Sequence, residues 1–239
     1  MSEILYSVWL QCKLDIRNKN VLIVYYILPL IFFLVMGSVF TTIDPNAKTR
    51  LIQSMSIVAI SMAAYLGTPV PIVEIFSSDI KKTYKVGNIP LWVILLTSFL
   101  SALVHILIVS VIIFIISPII FKADIPSNIL MYFLFLILVI SVSSIIGILI
   151  GLISKSNTVM TMFSQFIFLP SMILSGTMFP REMLPSVIGK VSNILPATHG
   201  MNILTSLGDV NLKLISPLFL IGVVSLGALA IVYRKIQLD

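Results

Sequence analysis

Charge is scarce in this chain. Of its 239 residues only 10% are charged, against 59% hydrophobic, and a mean hydropathy of +1.14 lies outside the range in which an apolar core and a wet surface coexist. A soluble globular domain is thereby excluded. The single cysteine, Cys12, leaves no partner for an internal disulfide and no metal cluster, so it reads as a small apolar side chain. No G-x-x-x-x-G-K-[ST] sequence occurs, so the chain has no P-loop with which to bind ATP. H-E-x-x-H is missing as well, and Ser175-Gly176 lacks the G-x-S-x-G context of a hydrolase nucleophile. No enzyme chemistry is expected. Nor do carboxylates recur within the apolar runs, as proton or sodium coupling would require; His105 is the ionisable group well inside a run, with Glu74 at a run's end. A membrane histidine is a functional candidate by position, and equally a neutral imidazole bonded to a nearby Ser or carbonyl.

What the chain has is long apolar runs. Stretches of roughly 20 residues, each enough to cross a hydrocarbon core of about 30 Å as a helix, fall at about 22–43, 52–73, 91–117, 129–153, 158–179 and 214–233. They are too continuous for barrel strands, so the expected fold is an all-α membrane protein of six spanning helices. Residues 1–20 precede this bundle of 21–239. With the N-terminus inside, Lys13, Arg17, Lys19, Lys81, Lys82, Lys85, Lys155, Arg234 and Lys235 fall on the cytoplasmic side. Lys48, Arg50, Lys122, Arg181, Lys190 and Lys213 fall outside. That bias predicts both termini cytoplasmic and a retained first span. The net charge of +6 then reflects topology and attraction to anionic lipid headgroups, with no nucleic-acid partner.

Ile4, Leu5, Val8, Trp9, Cys12 and Ile16 share a helical stripe with Lys13 and Arg17 opposite. This predicts an interfacial helix that also packs on protein, or a positively charged leader that only sets topology. Pro29 and Pro170 predict kinks. Thr68-Pro69-Val70-Pro71 predicts a stop or sharp turn, after which residues 74–90 form the one substantial cytoplasmic connection, with Ser77 or Ser78 capping a short helix. In the fourth span Ser143, Gly147 and Gly151 recur every four residues, a face for close helix packing or for a dimer contact. Beyond Pro180 the segment to Leu195 is too short and interrupted to span. It predicts a re-entrant or interfacial outer hairpin, about 180–207 in all. His199 reads as a surface residue near a helix start at Thr198.

The run Phe168-Leu-Pro-Ser-Met-Ile-Leu-Ser-Gly-Thr-Met-Phe-Pro180, followed by Met183-Leu184-Pro185 and Leu195-Pro196, resembles the signature of ABC-2 type transporter permeases. The likeness extends over nearly the whole chain, from the amphipathic N-terminal segment through the polar loop after the second span. It implies the membrane half of an ATP-driven exporter, with a second permease copy or paralogue and two ABC ATPase subunits that bind ATP and Mg2+; the chain itself binds no cofactor. The loop after the second span would form a coupling helix seated in the ATPase. Asp79 and Pro90 stand at the family's separation, while Lys81-Lys82 occupy its Gly-Thr position. Asp79, Lys81, Lys82, Thr83 and Tyr84 are thus the coupling candidates, Trp9, Lys13 and Arg17 the elbow-helix contacts, and Met178, Phe179, Met183 and Leu184 the outer gate. Many Leu, Ile, Val, Phe and Met residues in the spans favour a hydrophobic or amphipathic cargo such as a drug, an antimicrobial peptide or a lipid-like molecule. A bacterial plasma membrane is the expected location. The rival readings are an ion-coupled secondary transporter, for which no repeat or buried ion site is found, and a non-transporting scaffold or immunity protein.

Overall fold

A backbone in hydrocarbon can satisfy its N–H and C=O groups only within a helix or a closed barrel, and each of the six apolar runs forms a helix. The computed structural model describes residues 3–78, 80–87, 90–179, 184–208 and 211–238, and no strand occurs among them. In chain order the helices are α1 (Glu3–Arg17), α2 (Lys19–Ile43), α3 (Leu51–Phe76), α4 (Ile80–Val86), α5 (Leu91–Phe121), α6 (Ile129–Ile153), α7 (Asn157–Leu174), α8 (Ser186–Ser192), α9 (Pro196–Thr205) and α10 (Leu212–Leu238). Six of these, α2, α3, α5, α6, α7 and α10, are long and apolar enough to cross a membrane.

Helix α3 is the axis of the bundle. Of its most apolar stretch, 94% is buried, because α2, α5, α6, α7 and α9 all pack on it. Helix α10 leans on α6 and α9, and α1 lies against α5. The connections between spans place α1 and α4 at one end of the bundle and α8 and α9 at the other.

The prolines of α3 do not stop it, contrary to expectation. Residues Ala63–Gly67 form a π turn, in which Thr68 N donates to Ala63 O at 3.0 Å across five residues, and the helix continues to Phe76. Widening the turn moves carbonyls clear of the Pro69 ring, so the clash that would break an α-helix is avoided. A second π turn, Ile23–Ile27, stands in the same relation to Pro29 in α2. In the π register Ala64 O would pair with the N–H of residue 69, which proline lacks. Gly147 of α6 covers that carbonyl instead: a Cβ there would overlap Ala64 O, so only a glycine Cα–H can face it. Gly151 also packs closely, its absent Cβ falling 2.6 Å from Ile72 Cβ. Tyr65 Oη reaches Ser143 Oγ at 3.5 Å. The small-residue face of α6 therefore lies against α3 of the same chain.

Helix α7 ends at Leu174, short of the expected 179. Gly176 takes a positive φ of 89°, and Thr177 Oγ1 donates back to Met172 O at 2.8 Å while meeting Ser175 Oγ at 3.0 Å. Eighteen residues give a rod of roughly 27 Å. Beyond it, exposed α8 leads into α9, which is almost wholly buried among α3, α6, α7 and α10. His199 is not on the surface. It is buried in α9 with Nε2 2.7 Å from Asn193 O, and the helix starts at Pro196 rather than Thr198.

Candidate coupling site

The α1 end of the bundle concentrates its polar chemistry. In α1 the inward residues are Ser7, Val8, Gln11, Cys12 and Asp15, spaced by three and four, while Leu5, Trp9 and Ile16 are exposed. The expected apolar stripe is thus rotated outward. In lipid the outer face of a helix is the one that gains from apolar side chains, and the protein-facing side is where polar groups find partners. Asp15, only 4% exposed, accepts from Ser101 Oγ of α5 at 2.5 Å and from Gln11 Nε2 at 2.9 Å. Burial pushes its carboxyl above the ordinary carboxylate value; the bonds from Ser101 and Gln11, and nearby His105, oppose the rise.

One turn along α5 from Ser101 stands His105, 2.6 Å from Tyr26 Oη and stacked on Tyr25 with ring centroids 5.3 Å apart. The imidazole's short contact is therefore with a tyrosine, while the backbone of Cys12 supplies a partner of the carbonyl kind expected from sequence. Tyr25, in the π turn of α2, meets Thr68 Oγ1 at 3.3 Å beside the π turn of α3. Gly67 makes room for the ring: a Cβ there would come within 2.9 Å of Tyr25 Cε1. The two π turns are packed on each other, a backbone irregularity frequent at functional sites. Contacts thus join Asp15 to Ser101 and, one turn along α5, His105 to Tyr26 and Tyr25 and Tyr25 to Thr68, linking α1, α5, α2 and α3.

The corner between α1 and α2 is fixed separately. Asn18 Oδ1 caps the start of α2 by accepting from Asn20 N at 3.1 Å, and Asn18 Nδ2 lies 3.3 Å from both carboxylate oxygens of Glu74 in the last turn of α3. Ser78 Oγ then accepts from Ile80 N at 3.3 Å at the start of α4, which touches α3 and α5. Of the coupling candidates, Thr83 is exposed and Tyr84 half-buried on α4. Lys81 and Lys82 also belong to α4; their side chains, and all of Asp79, lie outside the described residues. Trp9, Lys13 and Arg17, four residues apart, form one exposed line along α1. Lys13 Nζ sits 5.0 Å from the Trp9 ring centre.

Two cavities open on α3. Near α1 a polar one of about 350 Å³ is lined by Asn20, Glu74, Asn157, Thr161, Ser164 and Gln165 together with apolar residues of α2, α3 and α7. At the other end a cavity of about 230 Å³ lies between Phe40, Asp44, Arg50, Thr177, Met178 and Phe179. Two gate candidates, Met178 and Phe179, meet there. Leu184 is half-buried ahead of α8 and does not line it, and Met183 lies outside the described residues.

Sequence reasoning missed Asp15, Gln11, Tyr25, Tyr26 and Asn18. The available signal was the line Val8, Cys12, Asp15, where position seven of a heptad carries a carboxylate on the same face as two small apolar groups.

Residues 2–207 match the family model described as ABC-2 type transporter. The ABC transporter G family member 20 of Dictyostelium discoideum is 33% identical over 93 residues, which are 39% of this chain and 12% of that protein. The chain therefore spans only a small part of that curated relative's length. No solved structure matches.

Proposed function

Because the chain belongs to the ABC-2 type transporter family, a family of membrane transporter components, we propose that it is the permease of an exporter driven by ATP hydrolysis in separate subunits. Two ABC ATPases binding ATP and Mg2+ would seat on the end that carries α1 and α4, in the cytoplasm, and two permease copies or paralogues would face each other. The observation that carries this reading is the linkage at that end. The Asn18–Glu74 contact ties the α1–α2 corner to the root of α4, and the Asp15–Ser101 bond ties α1 to α5. A push on α4 or on the Trp9–Lys13–Arg17 line thus reaches the π turns of α2 and α3, the places where those helices can most readily change register.

Cargo would enter at the polar cavity beside α7 and leave past Met178 and Phe179 between the two bundles. A mouth with hydroxyl, amide and carboxylate groups set in apolar walls suits an amphipathic compound. Plasma-membrane residence with both termini inside follows from the same reading.

Purification of the tagged chain from its native membrane with its partners, followed by ATP-driven uptake of amphipathic compounds into inside-out vesicles, tests the proposal. A stoichiometric P-loop ATPase whose turnover responds to those compounds is the expected result. Reversing Lys81 and Lys82 to Glu should release the ATPase from a bundle that remains folded. Unchanged association and export after that reversal would overturn the role of α4. A bundle that copurifies with no ATPase would overturn the exporter itself.

A further inference from the structure

At the α1 end, helices α5, α6 and α10 part to leave a slot of about 430 Å³ with almost wholly apolar walls. Trp92 and Phe99 of α5, Ile148 of α6, and Leu229 and Tyr233 of α10 line it. Its volume is that of a site for one small organic ligand. One turn further along both α6 and α10, Leu152 and Ile236 enter a second cavity of about 210 Å³ whose other walls include Ser77, Ser154 and Lys155. The slot and the polar pocket therefore follow one another along the same two helices.

The sign of that pocket is positive. Ser77 Oγ donates to Val73 O at 2.5 Å and Ser154 Oγ to Ile150 O at 2.6 Å, so both hydroxyl protons are committed to backbone. Lys155, exposed on the connection between α6 and α7, supplies the charge. Arg234, exposed four residues beyond Ala230, another wall of the slot, stands at the edge of the slot's face one turn nearer the α1 end, turned away from Ile236 and the second cavity. Trp92 and Tyr233 stand where amphipathic rings collect, at the depth of lipid headgroups.

We propose that this is a binding site for an anionic phospholipid of the leaflet that holds α1: one acyl chain fills the slot, the phosphate lies towards Lys155, and Arg234 adds positive charge at the slot's edge. The apolar walls demand hydrocarbon, and the cationic end selects the headgroup. A second copy of the chain fits poorly, since a two-fold contact here would bring the like cations of both copies into one interface. The proposal does not depend on what the protein transports.

The chain has two tryptophans, so Trp9→Phe leaves Trp92 as a reporter inside the slot. The variant is placed in phosphatidylcholine bilayers holding a minor fraction of phosphatidylglycerol, with bromine on the acyl chains of one lipid at a time. Brominated phosphatidylglycerol should quench Trp92 well beyond its mole fraction, and brominated phosphatidylcholine at the same fraction should not. Lys155→Gln and Arg234→Gln should each reduce that excess about fivefold, and Ala230→Phe, which fills the slot, should reduce quenching by both lipids. Equal quenching by the two lipids would mean that the slot holds bulk lipid only, and quenching by neither that protein covers it. Either result overturns the proposal, as does an excess that survives both cation substitutions.

Discussion

Helices α3 and α7 are the two least apolar spans, with mean hydropathies of 1.7 and 1.3, yet 94% of one and 22% of the other is buried. The outer spans α2 and α10 are also little buried, at 28% and 17%, but both reach 2.4, as helices facing lipid should. Polar groups in α3 are explained by enclosure, since Ser56, Tyr65 and Thr68 bond to Tyr132, Ser143 and Tyr25 of neighbouring helices. In α7 only Met160, Ser164, Phe168 and Ser171 are buried within Asn157–Leu174, and Thr158, Thr161 and Gln165 form an exposed line spaced by three and four. Polar side chains are costly against hydrocarbon. The exposed surface of α7 is thus divided: Met162, Phe163, Phe166 and Leu169 suit lipid, whereas the Thr158–Thr161–Gln165 line is the part that a cargo path or a second permease copy would cover.

The comparison breaks most severely at Gly147, where α6 closes over α3. Gly147→Ala forces a Cβ onto Ala64 O, and backbone cannot yield as a flexible side chain would. A loss of about 3 kcal/mol or more is expected, read as a lowered unfolding temperature in detergent or as failure to accumulate. Gly227→Ala, on the exposed side of α10 with nothing within 4 Å of the added Cβ, should be neutral or stabilise by up to about 1 kcal/mol and so serves as the control. Equal behaviour of the two variants would mean that the π turn of α3 does not depend on Gly147 lying against Ala64 O.

Next in size is the attachment of α1. Asp15→Ala leaves Ser101 and Gln11 without their acceptor and should cost about 1–3 kcal/mol, seen as faster proteolysis around Arg17. Asp15→Asn keeps an acceptor for Ser101 and should cost less. Both variants also remove the pH response that the wild-type carboxyl gives. The folded carboxyl titrates above its ordinary value. Its contribution is therefore complete below the unfolded value and is lost as pH rises through the folded one. Wild-type α1 should hold more tightly as pH falls across that window, and the slope should vanish in Asp15→Asn.

How far these features were legible depends on whether they live in one helix or between helices. Six spans can be read from sequence because each carries its own hydrophobic length, and the fifth was misjudged only where Gly176 turns the chain. The face of Gly147 and Gly151 was legible as a packing surface, whereas its partner α3 was not, since spacing says nothing about which helix comes near. Asp15 was hidden by a water-based rule: sorting α1 into apolar-in and polar-out inverts the faces of a helix whose outside meets lipid. The π turn of α3 reads in sequence as a stop at Thr68–Pro71, and that of α2 as a kink at Pro29, because proline normally removes a bond and clashes. Only the neighbouring Gly147 and Tyr25, far along the chain, make the wider turn acceptable.

The α7 side of the comparison is sharpened by Thr161→Val and Gln165→Leu. Were that face in lipid, both changes would stabilise the bundle and leave transport untouched. Facing a cargo path, they should leave the unfolding temperature nearly unchanged and lower ATP-driven transport of amphipathic compounds about fivefold, the loss of roughly one net hydrogen bond. Stabilisation with full transport would return α7 to the lipid.

The smallest effect tests whether the two π turns act as a unit. Tyr25→Phe keeps the ring over Gly67 and against His105 and removes only the 3.3 Å contact with Thr68. An isolated hydrogen bond between membrane helices contributes about 0.6 kcal/mol, and Thr68→Val, which also removes the 3.4 Å bond to Ala63 O, should cost somewhat more. If the pair is isolated, the double variant should cost no more than Thr68→Val alone. A double-variant cost that departs from this, together with transport falling more than stability does, would mean that the bond belongs to the network through His105 and Ser101. In that case the register of α2 against α3 depends on the attachment of α1, and the enclosed span is enclosed only while the α1 end is held.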